Sequence, residues 1–359
     1  MDVRDRVRGC LLGGAIGDAL GSPIEFQSLR EIRREHGAEG ITGYVTTWRG
    51  KSGLITDDTQ MTLFTVEGLL WARASGPPAT GSLRAAYPYP GVVEPVRQAY
   101  LRWFDTQNHQ APPPADRPHR TGRLREETWL YSRRAPGNAC LSGLRRQFPG
   151  PSPLGQPGPV NPDSKGCGTV MRSAPFGLVA LSGTERAADG ARLDPREAFE
   201  VAAACAQITH GHPTGYLAAG AFAAITAYLV AGEGLEPAVH RALDLLADYP
   251  AHDETSAALR AAVALAADGG GHSPERVESL GGAWVAEEAL AIGVYCALAE
   301  PSVERALLLS VNHSGDSDST GSVCGNLLGA LYGADVLPAA WLRPLEGRDT
   351  IERLATELA

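Results

Sequence analysis

Runs of alanine and leucine with helical spacing fill most of this 359-residue chain, and alternating strand patterns are almost absent. The segments predicted to be helical are 7–20, 58–74, 95–106, 170–181, 197–209, 214–231, 236–247, 254–267, 285–298, 302–310 and 320–333. Apolar residues make up 43% of the chain, which is enough for a substantial core. We therefore predict an all-α protein, a single globular helical bundle larger than a four-helix bundle.

Three segments rich in proline and glycine, 76–91, 107–120 and 149–162, interrupt the helical pattern. Their composition predicts surface loops rather than strands. Either of the last two loops could join two domains, but acidic clusters that need each other lie on both sides of them. We therefore predict one domain spanning residues 1–359.

Charge and cysteine content restrict the partners. The net charge of −9 and the pI near 5.5 argue against binding to nucleic acid or to an anionic membrane surface. The six cysteines are scattered without a CxxC pair, which is typical of reduced thiols in a cytoplasmic protein. Asp18 interrupts the first apolar run, so we predict neither a signal peptide nor a membrane span. A monomer is the default expectation.

Two acidic clusters, ITDDTQ and HSGDSDSTG, each precede an apolar segment predicted to be a helix. Helix capping explains one acid in each cluster, but a second buried carboxylate needs a counter-charge. Hydroxyl and carboxylate oxygens are the ligands that Mg²⁺ and Mn²⁺ prefer. We therefore predict that folding brings the clusters together around one or two divalent cations. The candidate ligands are Thr56, Asp57, Asp58, Asp316, Asp318 and Ser319.

Glycines four residues apart predict close helix packing at both ends of the chain. They are Gly9, Gly13, Gly17 and Gly21 in the first helix, and Gly325, Gly329 and Gly333 in the last predicted one. Asp18 lies on the first of these helices, where it could simply be a buried hydrogen-bonding carboxylate. Glu25 follows in a turn that begins at Pro23, where an exposed acid would need no special role.

Two further motifs could bind a ligand. Gly166 and Gly168 form a tight loop before a helix predicted to begin near Val170, so successive N–H groups there could hold a phosphate. The loop matches neither the Walker nor the dinucleotide pattern. His210 and His212 are two residues apart, but no further ligand lies at zinc-finger spacing, which favours hydrogen bonding over zinc binding.

Taken together and in order, five segments resemble the ADP-ribosylglycohydrolase family: GDALGSPIEF, TDDTQM, SKGCGTVMRSAP, THGHPTGY and HSGDSDSTG. The insert 107–119 is the least family-like part. The resemblance implies an all-helical fold with two divalent cations, Mg²⁺ or Mn²⁺, held by the six candidate ligands above. It also implies ADP-ribose or an ADP-ribosylated protein as the partner.

The implied reaction is hydrolysis of the bond between C1 of the terminal ribose and a protein side chain, with Asp57, Asp58 or Glu25 taking a proton from water. The HSGDSDST and THGHPTGY segments favour arginine as that side chain. The implied substrate-binding residues are Asp18, Gly166, Cys167, Gly168, Thr169 and His210. Alternatives are hydrolysis of serine-linked or O-acetyl-ADP-ribose, a non-catalytic structural or ADP-ribose-binding homologue, and a binuclear metallophosphatase.

Overall fold

The computed structural model describes residues 2–46, 50–75, 90–179 and 194–359. Within these ranges the α-helices are α1 (Val3–Gly21), α2 (Leu29–His36), α3 (Asp57–Ser75), α4 (Pro90–Asn108), α5 (Asn138–Leu144), α6 (Pro195–Ala206), α7 (Pro213–Val230), α8 (Leu235–Leu246), α9 (Asp253–Ala267), α10 (Pro274–Glu278), α11 (Ala286–Ala299), α12 (Val303–Val311), α13 (Ser317–Tyr332), α14 (Ala339–Leu342) and α15 (Arg348–Leu358). The same ranges contain no strand, only an isolated antiparallel bridge between Gly166 and Val285. The all-α prediction is confirmed.

Helices α1 and α13 pack backbone to backbone along their glycines. A Cβ atom added at Gly13 would lie 2.2 Å from the carbonyl oxygen of Gly325, and one added at Gly17 would lie 1.8 Å from that of Gly321. Gly9 meets Gly329 and Gly21 meets Ser317 in the same way, so the two helices run antiparallel. This contact places the C-terminal end of α1 beside the N-terminal end of α13.

Helix α7 is apolar on nearly all sides and lies inside the fold, and residues 57–69 of α3 are buried as well. Helix α7 is long and apolar enough to cross a membrane, yet 94% of it is buried in the structure. A core helix of a globular protein passes the same test of length and composition. The first turn of α3, at Asp57 and Asp58, is also buried, although it is acidic.

One predicted helix is wrong. The segment 170–181 contains no α-helix up to residue 179, only a 3-10 turn at Ala174–Gly177, and residues 180–181 lie outside the described ranges. Pro175 has no N–H to donate to an α-helical hydrogen bond, and Gly177 favours the helix least after proline. The loop at Gly166 and Gly168 therefore does not lead into an α-helix.

Five helices were missed: α2, α5, α10, α14 and α15. Most of them are too short to show a helical period. Helix α15 is the exception, because Ile351, Leu354, Ala355 and Leu358 are buried at helical spacing and could have been recognised.

The structure describes the three predicted proline-rich loops only in part. Residues 109–120 and 149–162 contain no α-helix, as predicted, whereas α4 takes up positions 90–91 and 107–108. Residues 76–89 of the first predicted loop lie outside the described ranges. The single-domain organisation stays a prediction. All six cysteines are free thiols.

Candidate functional site

A cavity of about 770 Å³ opens where the C-terminal end of α1 meets the N-terminal ends of α3 and α13. Residues from both acidic clusters line it together with the predicted glycine loop. The predicted site residues in its lining are Glu25, Asp57, Asp58, Gly166, Cys167, Gly168, His210, Asp316, Asp318 and Ser319. The structure thus brings together groups that lie more than 250 residues apart in the chain, such as Asp58 and Ser319.

Hydrogen bonds join the two acidic clusters directly. The Ser319 hydroxyl donates to Oδ1 of Asp58 over 2.9 Å. Asp316 is the N-cap of α13, and its Oδ1 accepts the N–H of Ser319 at 3.3 Å. Both helices therefore direct their N-terminal, partially positive ends at the same group of carboxylates.

Asp18 does not line the cavity. Its two carboxylate oxygens accept the N–H of Thr56, each at 3.0 Å, and Oδ2 also accepts the N–H and the hydroxyl of Thr59 at 3.1 and 2.5 Å. It is fully buried and caps the start of α3 from α1. The structure therefore does not support the expected substrate contact, and Asp18 instead positions Asp57 and Asp58.

Two other predicted residues also lie outside the lining. The Thr169 hydroxyl is buried and donates to the carbonyl oxygen of Gly215 at 2.8 Å, so the structure does not support a substrate contact for it either. The Thr56 hydroxyl accepts the N–H of Asp58 at 3.3 Å. Thr56 borders a smaller neighbouring cavity of about 250 Å³, and its role as a cation ligand stays a prediction.

The carboxylates of the cavity are crowded together. Oxygen atoms of Glu25, Asp316 and Asp318 lie within 4.8 Å of one another. Burial, together with the charges of Asp318, Asp316 and further acids, raises the pKa of Glu25 to about 10. Burial and the charge of Asp318 also raise the pKa values of Asp57, Asp58 and Asp316 well above their usual range. Within the described ranges, none of these acids has a Lys, Arg or His partner at ion-pair distance.

This donor set fits divalent cations. Carboxylate and hydroxyl oxygens suit Mg²⁺ and Mn²⁺, and in the cavity lining they outnumber the thiol of Cys167 and the imidazole of His210, the ligand types that favour zinc. Unneutralised carboxylates at this depth would be costly without an opposite charge. The residues present therefore fit the predicted metal centre, with Asp57, Asp58, Asp316, Asp318 and Ser319 as the groups that face the cavity.

The lining of the cavity also includes the glycine loop and a neutral histidine. Burial and the nearby Arg172 lower the pKa of His210 to about 3. Arg172 donates to the Thr209 hydroxyl at 2.6 Å, and this hydroxyl lies 2.8 Å from Nδ1 of His210. The ring of His210 is neutral, and its Nε2 faces the loop at Gly166 and Gly168.

Part of this loop is already hydrogen bonded. The Cys167 N–H donates to the carbonyl oxygen of Trp284 at 3.2 Å, and the Thr169 N–H reaches that of Gly166 at 3.4 Å. These two amides are therefore not free to hold a phosphate. The loop thus offers fewer successive N–H donors than the sequence predicted.

Sequence reasoning missed several residues of the cavity, chiefly Phe26, Arg133 and Trp284. Phe26 directly follows Glu25 and could have been noted as an apolar residue in a predicted turn. Trp284 stands in a GGAW segment just before α11, which carries no recognisable signal.

We expect removal of divalent cations to destabilise the protein, because buried carboxylates then repel one another. A ligand present at about 100 times its Kd stabilises the native state by about 2.7 kcal/mol. Thermal denaturation with Mg²⁺ or Mn²⁺, compared with EDTA, measures the difference. An unchanged melting temperature would contradict a cation site in this cavity.

The fold and the cavity define an all-α protein whose buried carboxylates form a candidate divalent-cation site. The chain belongs to the ADP-ribosylglycohydrolase family, whose model matches residues 1–359. This membership and the lack of strands in the described ranges argue against the metallophosphatase alternative.

Characterised proteins resemble this chain over nearly its whole length. An ADP-ribosyl-(dinitrogen reductase) glycohydrolase of Rhodospirillum rubrum is 26% identical, with 96% of this chain and 91% of that protein covered. The human ADP-ribosylhydrolase ARH3 is 24% identical, with 98% and 92% covered. The ADP-ribosylarginine hydrolase Tri1 of Serratia proteamaculans is 23% identical, with 99% and 79% covered.

A solved structure shares the fold. It is described as an ADP-ribosylglycohydrolase-related protein complex, superposes with a TM-score of 0.59 and is 24% identical in sequence. The match covers 99% of this chain and 98% of that one.

Proposed function

We propose that this protein is a divalent-cation-dependent hydrolase that cleaves the bond between ADP-ribose and a modified arginine side chain. Family membership supports the coarser part, hydrolysis of ADP-ribosylated substrates. The observation that carries the finer part is the group of crowded carboxylates in the lining of a cavity that also contains the glycine loop.

The dimensions and polarity of the cavity suit ADP-ribose. Its volume of about 770 Å³ lies within the usual range of small-molecule sites. The carboxylates form an acidic wall, and the lining also includes Nε2 of His210 and the backbone of Gly166 and Gly168. We place the terminal ribose at the acidic wall and the pyrophosphate at the glycine loop.

The reaction adds water across the glycosidic bond. When bound, divalent cations would supply charge stabilisation and lower the pKa of a water molecule. Asp57, Asp58 or Glu25 accepts a proton from the attacking water, and the water oxygen bonds to C1 of the ribose. The C1–N bond breaks, its electron pair stays on the guanidine nitrogen, and this nitrogen takes up a proton as it leaves.

The hydrogen bonds of Asp57, Asp58 and Glu25 differ, which suggests different roles for these acids in the reaction. Asp58 is held by the Ser319 hydroxyl, and the Asp57 carboxylate accepts the N–H of Gly137 at 3.4 Å. Glu25 has no such hydrogen bond to any residue of the described ranges and lies in the turn after α1. Asp57 and Asp58 are thus oriented for binding, whereas Glu25 is the less constrained candidate for proton transfer.

Arginine is proposed as the linked side chain because two sequence motifs favour it and because one relative is named an ADP-ribosylarginine hydrolase. The relative ARH3 carries the broader name ADP-ribosylhydrolase. Hydrolysis of serine-linked or O-acetyl-ADP-ribose is therefore the alternative for the same site.

A hydrolysis panel tests the proposal. We expect intact ADP-ribose to be released from an arginine-linked peptide with Mg²⁺ or Mn²⁺, and more slowly from serine-linked and O-acetyl substrates. Chromatography of the released nucleotide measures both product and rate. Release of AMP or inorganic phosphate, or the lack of any product with every metal, would contradict the proposed activity.

A further inference from the structure

Two stacked aromatic rings line the cavity beside the acidic wall. The side chains of Phe26 and Trp284 are 73% and 47% exposed, although both are large and apolar. Their ring centroids lie 5.7 Å apart, and the ring planes differ by 15°. In the described part of the chain, these are the exposed large apolar side chains that belong to the cavity lining. Such exposure costs free energy that the fold itself does not recover.

The backbone holds these rings in place at the site. The carbonyl oxygen of Trp284 accepts the N–H of Cys167, and that of Gly282 accepts the N–H of Asp316 at 3.0 Å. Between them, Ala283 adopts a φ of 61°, a strained value for a residue with a side chain. Phe26 directly follows Glu25. The aromatic pair is thus tied to both the glycine loop and the acidic cluster.

This protein repeatedly places arginine over aromatic rings. In the described part of the chain, four such contacts have a guanidinium carbon 4.2 to 5.6 Å from a ring centroid: Arg102 on Trp71, Arg145 on Phe104, Arg172 on Tyr100 and Arg241 on Tyr228. Within the described ranges, no arginine or lysine covers Phe26 or Trp284 in this way. Their outer faces are therefore open to a cation from another molecule.

We propose that Phe26 and Trp284 bind the guanidinium group of ADP-ribosylated arginine and so select arginine over serine as the linked side chain. This inference rests on the proposed function. The bond to be cleaved joins C1 of the ribose to a guanidinium nitrogen, so a ribose at the acidic wall places the guanidinium within one bond of it. The planar, weakly hydrated cation then meets ring faces beside the carboxylates of Glu25 and Asp316.

Serine offers no such interaction. Its linking oxygen carries no positive charge, and its single methylene group presents little surface to a ring. Loss of the aromatic faces should therefore weaken binding of the arginine-linked substrate and leave the serine-linked one unchanged.

The test compares KM and kcat of Trp284→Leu and Phe26→Leu on arginine-linked and serine-linked ADP-ribosyl peptides. We expect KM for the arginine substrate to rise by about twofold to thirtyfold, the range of a cation–π contact. Trp284→Phe keeps a ring face and should recover most of this loss. The inhibition constant of free ADP-ribose should stay the same, because that ligand lacks the guanidinium.

Tyr332→Leu is the matched control, since Tyr332 is also an exposed aromatic residue but is absent from the cavity lining. It should leave every constant unchanged. An unaltered KM for the arginine substrate in both leucine variants, or an equal rise for both substrates, would overturn the inference while leaving the hydrolase proposal standing. Wild-type protein that releases no ADP-ribose from any substrate would overturn both.

Discussion

Asp316→Asn and Asp58→Asn are expected to abolish hydrolysis, with a fall in kcat/KM of at least about 1,000-fold, equivalent to about 4 kcal/mol. Each substitution removes one negative charge from the cavity and preserves the shape of the side chain. In Asp316→Asn the amide oxygen can still accept the Ser319 N–H that caps α13, so the fold should be maintained. Steady-state hydrolysis of the best substrate in the panel measures the loss.

A second measurement separates lost cation binding from misfolding. In metal-free protein these variants should melt at the same or a higher temperature than the wild type, because one of several repelling carboxylates is gone. Calorimetric titration with Mg²⁺ or Mn²⁺ should show weakened binding. Asp335→Asn, at an exposed aspartate outside the cavity lining, should change neither property. Full activity of Asp316→Asn would refute its role as a cation ligand.

Gly17→Ala and Gly325→Ala are expected to destabilise the protein strongly, by more than about 3 kcal/mol each. In an isolated helix the same change would stabilise by about 1 kcal/mol. Here the added Cβ would lie 1.8 Å from the carbonyl oxygen of Gly321 or 2.0 Å from that of Gly13. Backbone on both sides cannot yield, so α1 and α13 must move apart. Denaturant unfolding or the melting temperature measures the effect.

Gly37→Ala provides the comparison. Gly37 ends α2 with a φ of 97° and has no heavy atom within 4 Å of an added Cβ. Only backbone strain should act there, at a cost of about 1 kcal/mol. Equal effects of Gly37→Ala and Gly325→Ala would show that the close approach of α1 and α13 contributes little to stability.

Much of the fold could be predicted from the chain itself, because long segments rich in alanine, leucine and other apolar residues mark α1, α3 and α7. The segment around Pro175 was misread, since the apolar residues there pack as a buried turn rather than along a helix face. The glycine stripes predicted close packing, but nothing in their spacing showed that they would face each other. The pairing of the two stripes appears only in the tertiary structure.

The acidic residues of the site could be predicted from the sequence more readily than its other residues. Asp57, Asp58, Asp316 and Asp318 stand out because oxygen ligands crowd into short segments before apolar helices. The hydrogen bonds of Asp18 to the N–H groups of Thr56 and Thr59 could not be predicted, because these residues lie about 40 positions away in the sequence and approach Asp18 only in the folded chain. Trp284 reaches the cavity through a strained turn at Ala283, which no local pattern predicts.

The antiparallel contact between α1 and α13 also affects folding during translation. The acidic cavity is lined by Glu25 from one end of the chain and by Asp316 and Asp318 from the other. During translation α1 is synthesised about 300 residues before its partner, so its glycine face has nothing to pack against until residue 332 has left the ribosome. A nascent chain that stops before α13 therefore has α1 without its packing partner. It also lacks part of the group of candidate cation ligands.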